Sequence, residues 1–112
     1  MAKVKFNNGV NEISGREFEE TISKPLVLID FFAEWCMPCV MMAPVIEEIA
    51  EKFKGKIEFA KVNIDDNSSL AQKFKVISIP TLIVFKKGKE IERIVGAREE
   101  EQLEERLRKL AK

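Results

Sequence analysis

The sequence predicts an α/β protein with one mixed five-stranded sheet and helices on both faces. Strand and helix patterns alternate along the chain, and the nearly unbroken apolar run Leu26 to Phe32 is typical of a central strand. Helix-containing crossovers imply parallel pairing in the first part, and a hairpin over residues 81–95 implies antiparallel pairing in the second. With 112 residues, 46% of them hydrophobic, we expect a single domain over residues 1–112.

The first half of the chain is predicted to place two helices around the central strand. Val4 to Phe6 is a marginal first strand. Ser14-Gly15-Arg16-Glu17 has the form of a capping box, which predicts the start of a short helix. Apolar residues recur at helical spacing from Cys36 to about Phe53 and predict the main helix, in which Pro44 should cause a kink.

The second half is predicted to contain three strands and two helices. Gly55 ends the main helix. The elements that follow are a strand over 57–64, a short helix over 67–74, strands over 81–85 and 90–95 joined by a Lys87-Gly88 turn, and an amphipathic helix over 99–110.

The charges of the chain balance, with 19 lysine and arginine residues against 19 aspartate and glutamate residues. No net field therefore favours nucleic acid or an anionic membrane. The N-terminal residues lack the apolar stretch of a signal peptide, and no run approaches the roughly 18 apolar residues of a membrane span. We expect a cytoplasmic protein without a nucleic-acid or membrane partner.

The only two cysteines, Cys36 and Cys39, lie three residues apart just after the central strand. On a helix, positions i and i+3 share a face with Cβ atoms about 5 to 6 Å apart, which is near disulfide reach. Unpaired N–H groups and the helix dipole would stabilise a Cys36 thiolate there. The pattern suggests reversible disulfide chemistry. Two alternatives are an inert structural disulfide and a zinc site shared between two chains.

Asp30 interrupts the apolar run of the central strand. An aspartate at this position would be buried at a cost that an ordinary core would avoid, and desolvation should raise its pKa. The alternative is an aspartate at the strand end that reaches solvent or caps the following loop.

Four segments together resemble the thioredoxin family. Leu28 to Cys39, with the sequence Leu-Ile-Asp-Phe-Phe-Ala-Glu-Trp-Cys-Met-Pro-Cys, closely resembles its active-site segment. Further along, Lys61 to Asp65 resembles the strand after the main helix, Ile79-Pro80-Thr81 the cis-proline segment, and Val95-Gly96-Ala97 the late glycine turn. These landmarks span nearly the whole chain in order, so the resemblance implies the thioredoxin fold.

The resemblance implies roles for five catalytic residues. Cys36 would attack a substrate disulfide and Cys39 would resolve the mixed disulfide. Asp30 would act as general base and acid for Cys39 through water, with Lys61 tuning it. The bond before Pro80 would be cis. Lys61 could equally be a surface lysine, and Pro80 an ordinary proline at the start of a strand.

An apolar docking rim is expected around the sulfur atoms. A cis bond before Pro80 would place Ile79 against them, so that an extended substrate could pair with its backbone. Each rim residue could be only core packing, but exposed apolar groups beside a reactive thiol favour partner binding. The rim consists of Trp35, Met37, Pro38, Ile79, Val95 and Gly96.

Four residues depart from the usual pattern of the family: Met37 replaces a glycine, Phe32 a tryptophan, Val40 a basic residue and Ser78 a glycine. None of these changes removes a reacting group. Redox potential and partner choice depend on the residues around the sulfur atoms, and Met37 is expected to act on docking, with a neutral substitution as the alternative.

The resemblance thus implies a protein disulfide oxidoreductase that reduces disulfides in target proteins and needs no bound cofactor. It would be a monomer recharged by a thioredoxin reductase that is either NADPH-linked or ferredoxin-linked. Two alternatives are an oxidant or isomerase with the same site, and a module that binds partners in a redox-dependent way.

Overall fold

Five strands and four helices make up residues 9–112, the part of the chain that the computed structural model describes. In chain order they are β1 Val10–Glu12, α1 Gly15–Ile22, β2 Val27–Phe32, α2 Met37–Lys52, β3 Glu58–Asn63, α3 Ser68–Lys73, β4 Thr81–Lys86, β5 Lys89–Val95 and α4 Glu100–Leu110. The strands form one sheet in the order β1-β3-β2-β4-β5. The predicted α/β class is confirmed.

The sheet is mixed, as predicted. β2 pairs parallel with β3 and antiparallel with β4, while β1 pairs parallel with β3 and β5 pairs antiparallel with β4. In this register Asp30 of β2 lies opposite Lys61 on one side and Leu82 on the other. β2 is therefore the central strand.

Both faces of β2 are covered, which explains its nearly continuous apolar sequence. Leu28 belongs to the core cluster formed with α2 and α4. Side chains on the opposite face of the strand belong to a second cluster with α1 and α3, and they are Val27, Ile29 and Phe31. Because side chains alternate along a strand, Asp30 shares the α2 face with Leu28.

The start of α1 follows from its capping box. Ser14 is the N-cap, and its backbone N–H donates to the Glu17 carboxylate at 2.9 Å. Phe18 and Ile22 are buried against the sheet. The helix predicted to begin at this box is present.

α2 begins at the cysteine motif and is fastened to α4 at its far end. Cys36 is its N-cap, and Pro44 lies inside it as the sequence indicates. Near its end, Lys52 forms ion pairs with Glu100 at 3.1 Å and Glu104 at 2.9 Å. The cysteines thus lie at the start of a helix that is held against the rest of the fold.

The first strand differs from the sequence prediction. Val4 to Phe6, the predicted strand, lies outside the described residues. β1, Val10–Glu12, is a strand that the sequence analysis did not predict. It is short and buries only Val10.

Within residues 9–112, no helix is both long enough and apolar enough to cross a membrane.

Candidate active site

Cys36 and Cys39 lie at the start of α2, where β2 has just ended. They form a disulfide, with their Cα atoms 5.2 Å apart. The backbone N–H of Cys39 donates to Cys36 Sγ at 3.2 Å. This N–H belongs to the first turn, whose donors have no partner within the helix. The same donor and the positive helix end would stabilise a thiolate on Cys36 once the disulfide is reduced.

Both sulfur-bearing residues are nearly enclosed, since Cys36 is 4% and Cys39 is 6% exposed. They form a small cluster with Ala33, and Phe32, Ile64 and Ile79 pack against it. Thiol chemistry at this position therefore takes place in a largely apolar setting.

The loop before β4 lies against Cys36. The peptide bond between Ile79 and Pro80 is cis, and the Ile79 carbonyl oxygen lies 3.7 Å from Cys36 Sγ. Among residues 9–112, the backbone of Ile79 is not paired with another backbone group. Both the cis bond and the placement of Ile79 were expected from the sequence.

The late glycine turn closes on the same loop. The Gly96 N–H donates to the Pro80 carbonyl oxygen at 2.8 Å, and Thr81 Oγ1 donates to the Ser78 carbonyl. Gly96 has a φ of 91°, in the left-handed region that favours glycine. In the hairpin, Val95 lies opposite Thr81, which comes one residue after the cis bond between Ile79 and Pro80.

Asp30 is buried beneath α2, and its Oδ1 has no hydrogen-bond partner in the described part of the chain. Desolvation raises its pKa from 3.8 to about 7, against a smaller lowering by the positive charge of Lys61. A carboxyl group with such a pKa can take up and release a proton near neutral pH. This chemistry fits the expected role of Asp30.

Lys61 faces Asp30 from the neighbouring strand. Its Nζ lies 5.2 Å from the centroid of the Phe32 ring, which holds the ammonium at the edge of the site. The structure therefore brings Lys61 near Asp30, while a tuning role stays a prediction.

The expected docking rim divides into exposed and half-buried members. Trp35 is 69% and Met37 64% exposed, and Pro38 and Val95 are also exposed. Ile79 and Gly96 are half-buried. These residues surround the cysteines, and their binding role stays a prediction.

Three further exposed apolar residues lie on neighbouring segments: Ile77, which is 92% exposed, Val40 and Met41. Ile77 precedes the cis-proline segment by two residues. Val40 and Met41 continue the surface of the first turns of α2. Helical spacing from Met37 predicts that Val40 and Met41 share its face, and this signal could have added them to the rim.

The position of Trp35 depends on a residue that the sequence analysis did not single out for a role. The Trp35 indole Nε1 donates to Asp65 Oδ2 at 2.8 Å. Asp65 follows β3, the strand beside β2, so the parallel pairing brings its carboxylate to the start of α2. No local pattern could have shown this contact, because 30 residues separate the two partners.

Residues 9–112 contain no group of three or more histidine, cysteine, aspartate or glutamate residues that could hold a metal ion.

The fold and the paired sulfur atoms define a thiol–disulfide oxidoreductase. Comparison with known proteins leads to the same class. A family model described as Thioredoxin matches residues 9–109. The chain belongs to the thioredoxin family.

Individual relatives support this assignment. Thioredoxin from Staphylococcus haemolyticus is 46% identical over 98 residues, covering 88% of this chain and 94% of that protein. Thioredoxin from Staphylococcus aureus is 43% identical with the same coverage. A solved structure of a mutant thioredoxin from Halobacterium salinarum has a TM-score of 0.86 at 31% identity and covers 98% of this chain and 97% of its own. The predicted family and oxidoreductase function are confirmed.

Proposed function

We propose that this protein works in the reducing direction, passing two electrons from its Cys36 and Cys39 thiols to disulfides in target proteins. The observation that carries this proposal is the position of Cys36 Sγ, which accepts the Cys39 N–H at 3.2 Å and lies 3.7 Å from the Ile79 carbonyl oxygen. A nucleophile with a stabilised anion thus lies directly beside an unpaired backbone edge.

In the first step, the Cys36 thiolate attacks one sulfur of the substrate disulfide. A Cys36–substrate mixed disulfide forms, and the other substrate sulfur leaves as a thiolate. The backbone of Ile79 pairs with the extended substrate segment. Trp35, Met37 and Val95 supply apolar contacts, and their exposure supports this assignment.

In the second step, Cys39 attacks Cys36 Sγ and releases the second substrate thiolate. The Cys39 proton passes to Asp30 through water, which leaves the oxidised protein and a fully reduced substrate. The pKa of Asp30, raised to about 7 by burial, supports this proton transfer at neutral pH. Lys61 keeps that pKa from rising further.

The dithiol must then be restored by a partner that supplies two electrons. We assign this role to a thioredoxin reductase, NADPH-linked or ferredoxin-linked, that docks on the same rim. We place the monomeric protein in the cytoplasm, because that compartment keeps protein thiols reduced.

Trapping experiments test the two cysteine roles. Cys36→Ser should abolish insulin reduction, whereas Cys39→Ser should accumulate a mixed disulfide that dithiothreitol reverses. Full activity of Cys36→Ser would refute the nucleophile assignment. Cys39→Ser is the matched control, since both variants remove one thiol from the same pair.

Equilibration with glutathione tests whether the protein works as a reductant or as an oxidant. A reductase should have a reduction potential near or below about −230 mV, whereas a value near about −120 mV would identify an oxidant. The isomerase alternative predicts an intermediate value and the rescue of scrambled ribonuclease.

A further inference from the structure

Arg93 of β5 binds the end of α3, where the loop that carries Ile79 begins. Its Nη2 donates to the Phe74 carbonyl oxygen at 2.8 Å, and its Nη1 donates to that of Lys75 at 3.4 Å. Phe74 is the C-cap of α3, and Lys75 has a left-handed φ of 55°. Carbonyl groups at a helix end lack hydrogen-bond donors within the helix, and Arg93 provides donors to them.

Glu90 fixes the orientation of the Arg93 side chain. Arg93 Nε and Nη2 donate to the two oxygens of the Glu90 carboxylate at 2.8 and 2.9 Å. This paired contact raises the pKa of Arg93 and lowers the pKa of Glu90. Two parallel bonds between planar groups hold the guanidinium in one plane, so its outer nitrogens stay directed at the loop.

The loop is consequently held at both ends, by β5 at its beginning and by the turn after β5 at its end. Arg93 binds its beginning at Phe74 and Lys75, and Gly96 binds its end through the Pro80 carbonyl at 2.8 Å. Ile77, between these two anchors, is 92% exposed. Ile79 follows, with its carbonyl oxygen 3.7 Å from Cys36 Sγ.

We propose that Arg93 is a positioning residue that keeps the loop over residues 75–80 in the conformation in which protein disulfides bind. This inference rests on the proposed function. Without Arg93, one anchor is lost and the Ile79 edge must be ordered when substrate binds, which weakens binding without touching the sulfur atoms. Small disulfides, which need no edge to pair with, should react as before.

A matched control is the arginine–glutamate pair that joins α4 to the other face of β5. Arg106 of α4 donates from Nε to Glu92 Oε2 at 2.8 Å. Arg106→Leu thus removes an arginine–glutamate pair on β5 that holds α4 and not the loop. Arg106→Leu should lower stability without loosening the loop, so a change in KM found only in Arg93→Leu isolates the loop.

The experiment measures KM and kcat for insulin, the rate with a small aromatic disulfide, and amide hydrogen exchange at Lys75 and Val76, whose N–H groups are hydrogen-bonded at the start of the loop. For Arg93→Leu we expect KM to rise roughly three- to tenfold, with kcat and the small-disulfide rate nearly unchanged. Amide exchange in the oxidised protein should become faster at these residues. Arg93→Lys should restore part of the loss, and Arg106→Leu should leave KM and loop exchange unchanged.

Equal KM values for Arg93→Leu and the wild type, or equal rises in both leucine variants, would overturn the inference. If Arg93→Leu does not fold, Glu90→Gln provides the second test, because it removes the charge that orients Arg93 and should raise KM in the same direction. A wild-type protein that cannot reduce insulin would refute the proposed function instead. Loop exchange needs no activity, so unchanged exchange in an active protein refutes only the role of Arg93.

Discussion

Trp35 Nε1 donates a hydrogen bond to Asp65 Oδ2 at 2.8 Å, which fixes the exposed indole beside the reactive disulfide. Asp65 is itself held, because its backbone N–H donates to Asn63 Oδ1 at 2.9 Å. The turn after β3 therefore determines where the largest side chain of the docking rim lies. This contact joins the end of β3 to the residue that precedes Cys36.

Asp65→Ala should release the Trp35 ring. Trp35 is the only tryptophan, so its fluorescence reports on this ring alone. We expect lower fluorescence anisotropy and a fall of roughly two- to fivefold in kcat/KM for insulin, with a stability change of about 1 kcal/mol or less. Asp65→Asn keeps one acceptor oxygen and should behave nearly as the wild type. Unchanged anisotropy in Asp65→Ala would show that the bond does not restrain the ring.

The buried Asp30 should make stability depend on pH. Its pKa is 3.8 when unfolded and about 7 in the fold, so between these values the native state holds a proton that the unfolded chain has lost. The free energy of unfolding of the oxidised protein should fall as pH rises through this window and level off above it. The chain contains no histidine, so no imidazole titrates in the same range.

Asp30→Asn should remove this pH dependence. Near about pH 8 the variant should be more stable than the wild type by roughly 2 to 4 kcal/mol, because no charge must be buried. Urea unfolding of both oxidised proteins at several pH values measures the difference. Parallel curves for the two proteins would mean that Asp30 is not the group responsible.

Asp30→Asn should also slow the second chemical step. An amide cannot take the Cys39 proton, so release of the reduced substrate should slow by about tenfold to a hundredfold near neutral pH. Formation of the mixed disulfide by Cys36 should keep its rate, and this first step serves as the internal control in stopped-flow measurements. An unchanged overall rate would refute the assignment of Asp30.

Two neighbouring methionines on α2 should differ in how much stability they lose on truncation. Met42 is buried in the core cluster beneath α2, whereas Met41 is exposed. Met42→Ala should lower the free energy of unfolding by about 2 to 5 kcal/mol, and Met41→Ala by about 0.5 kcal/mol or less. Chemical denaturation of the two variants makes the comparison. Similar losses would mean that Met42 does not lie on the buried face of α2.

Met37 should act on docking more than on chemistry. Met37→Gly removes an exposed apolar side chain beside Cys36, so KM for insulin should rise by roughly two- to fivefold while small disulfides react at similar rates. Met37→Leu keeps the apolar volume and is the matched control. If glycine and leucine variants have equal KM values, the Met37 side chain makes no contribution to binding.

Most of the fold could be predicted because its elements carry local patterns. The apolar run of β2, the capping box of α1 and the helical spacing in α2 each depend on a few neighbouring residues. β1 carries no such pattern, because a strand of three residues with one buried side chain is too short to show an alternation of apolar and polar residues. Its formation depends on pairing with β3, which lies far along the chain.

The candidate site also contains some residues that local sequence patterns indicate and others that they do not. Spacing indicated Cys36 and Cys39, and the polarity of Asp30 in an apolar strand marked it as unusual. Asp65 and Arg93 carry no local mark, because each acts through contacts with residues 18 to 30 positions away. Only the register of the sheet brings these groups together.

The enclosure of Cys36, which is only 4% exposed, has a consequence for the proteins it acts on. In the proposed docking mode, a target disulfide would reach this sulfur only if its own chain leaves its fold locally and extends beside Ile79. Reaction rates across a series of targets should therefore follow the free energy of local opening around each disulfide, more than its reduction potential. The protein should then reduce disulfides in mobile or damaged segments and leave the structural disulfides of intact proteins unreduced.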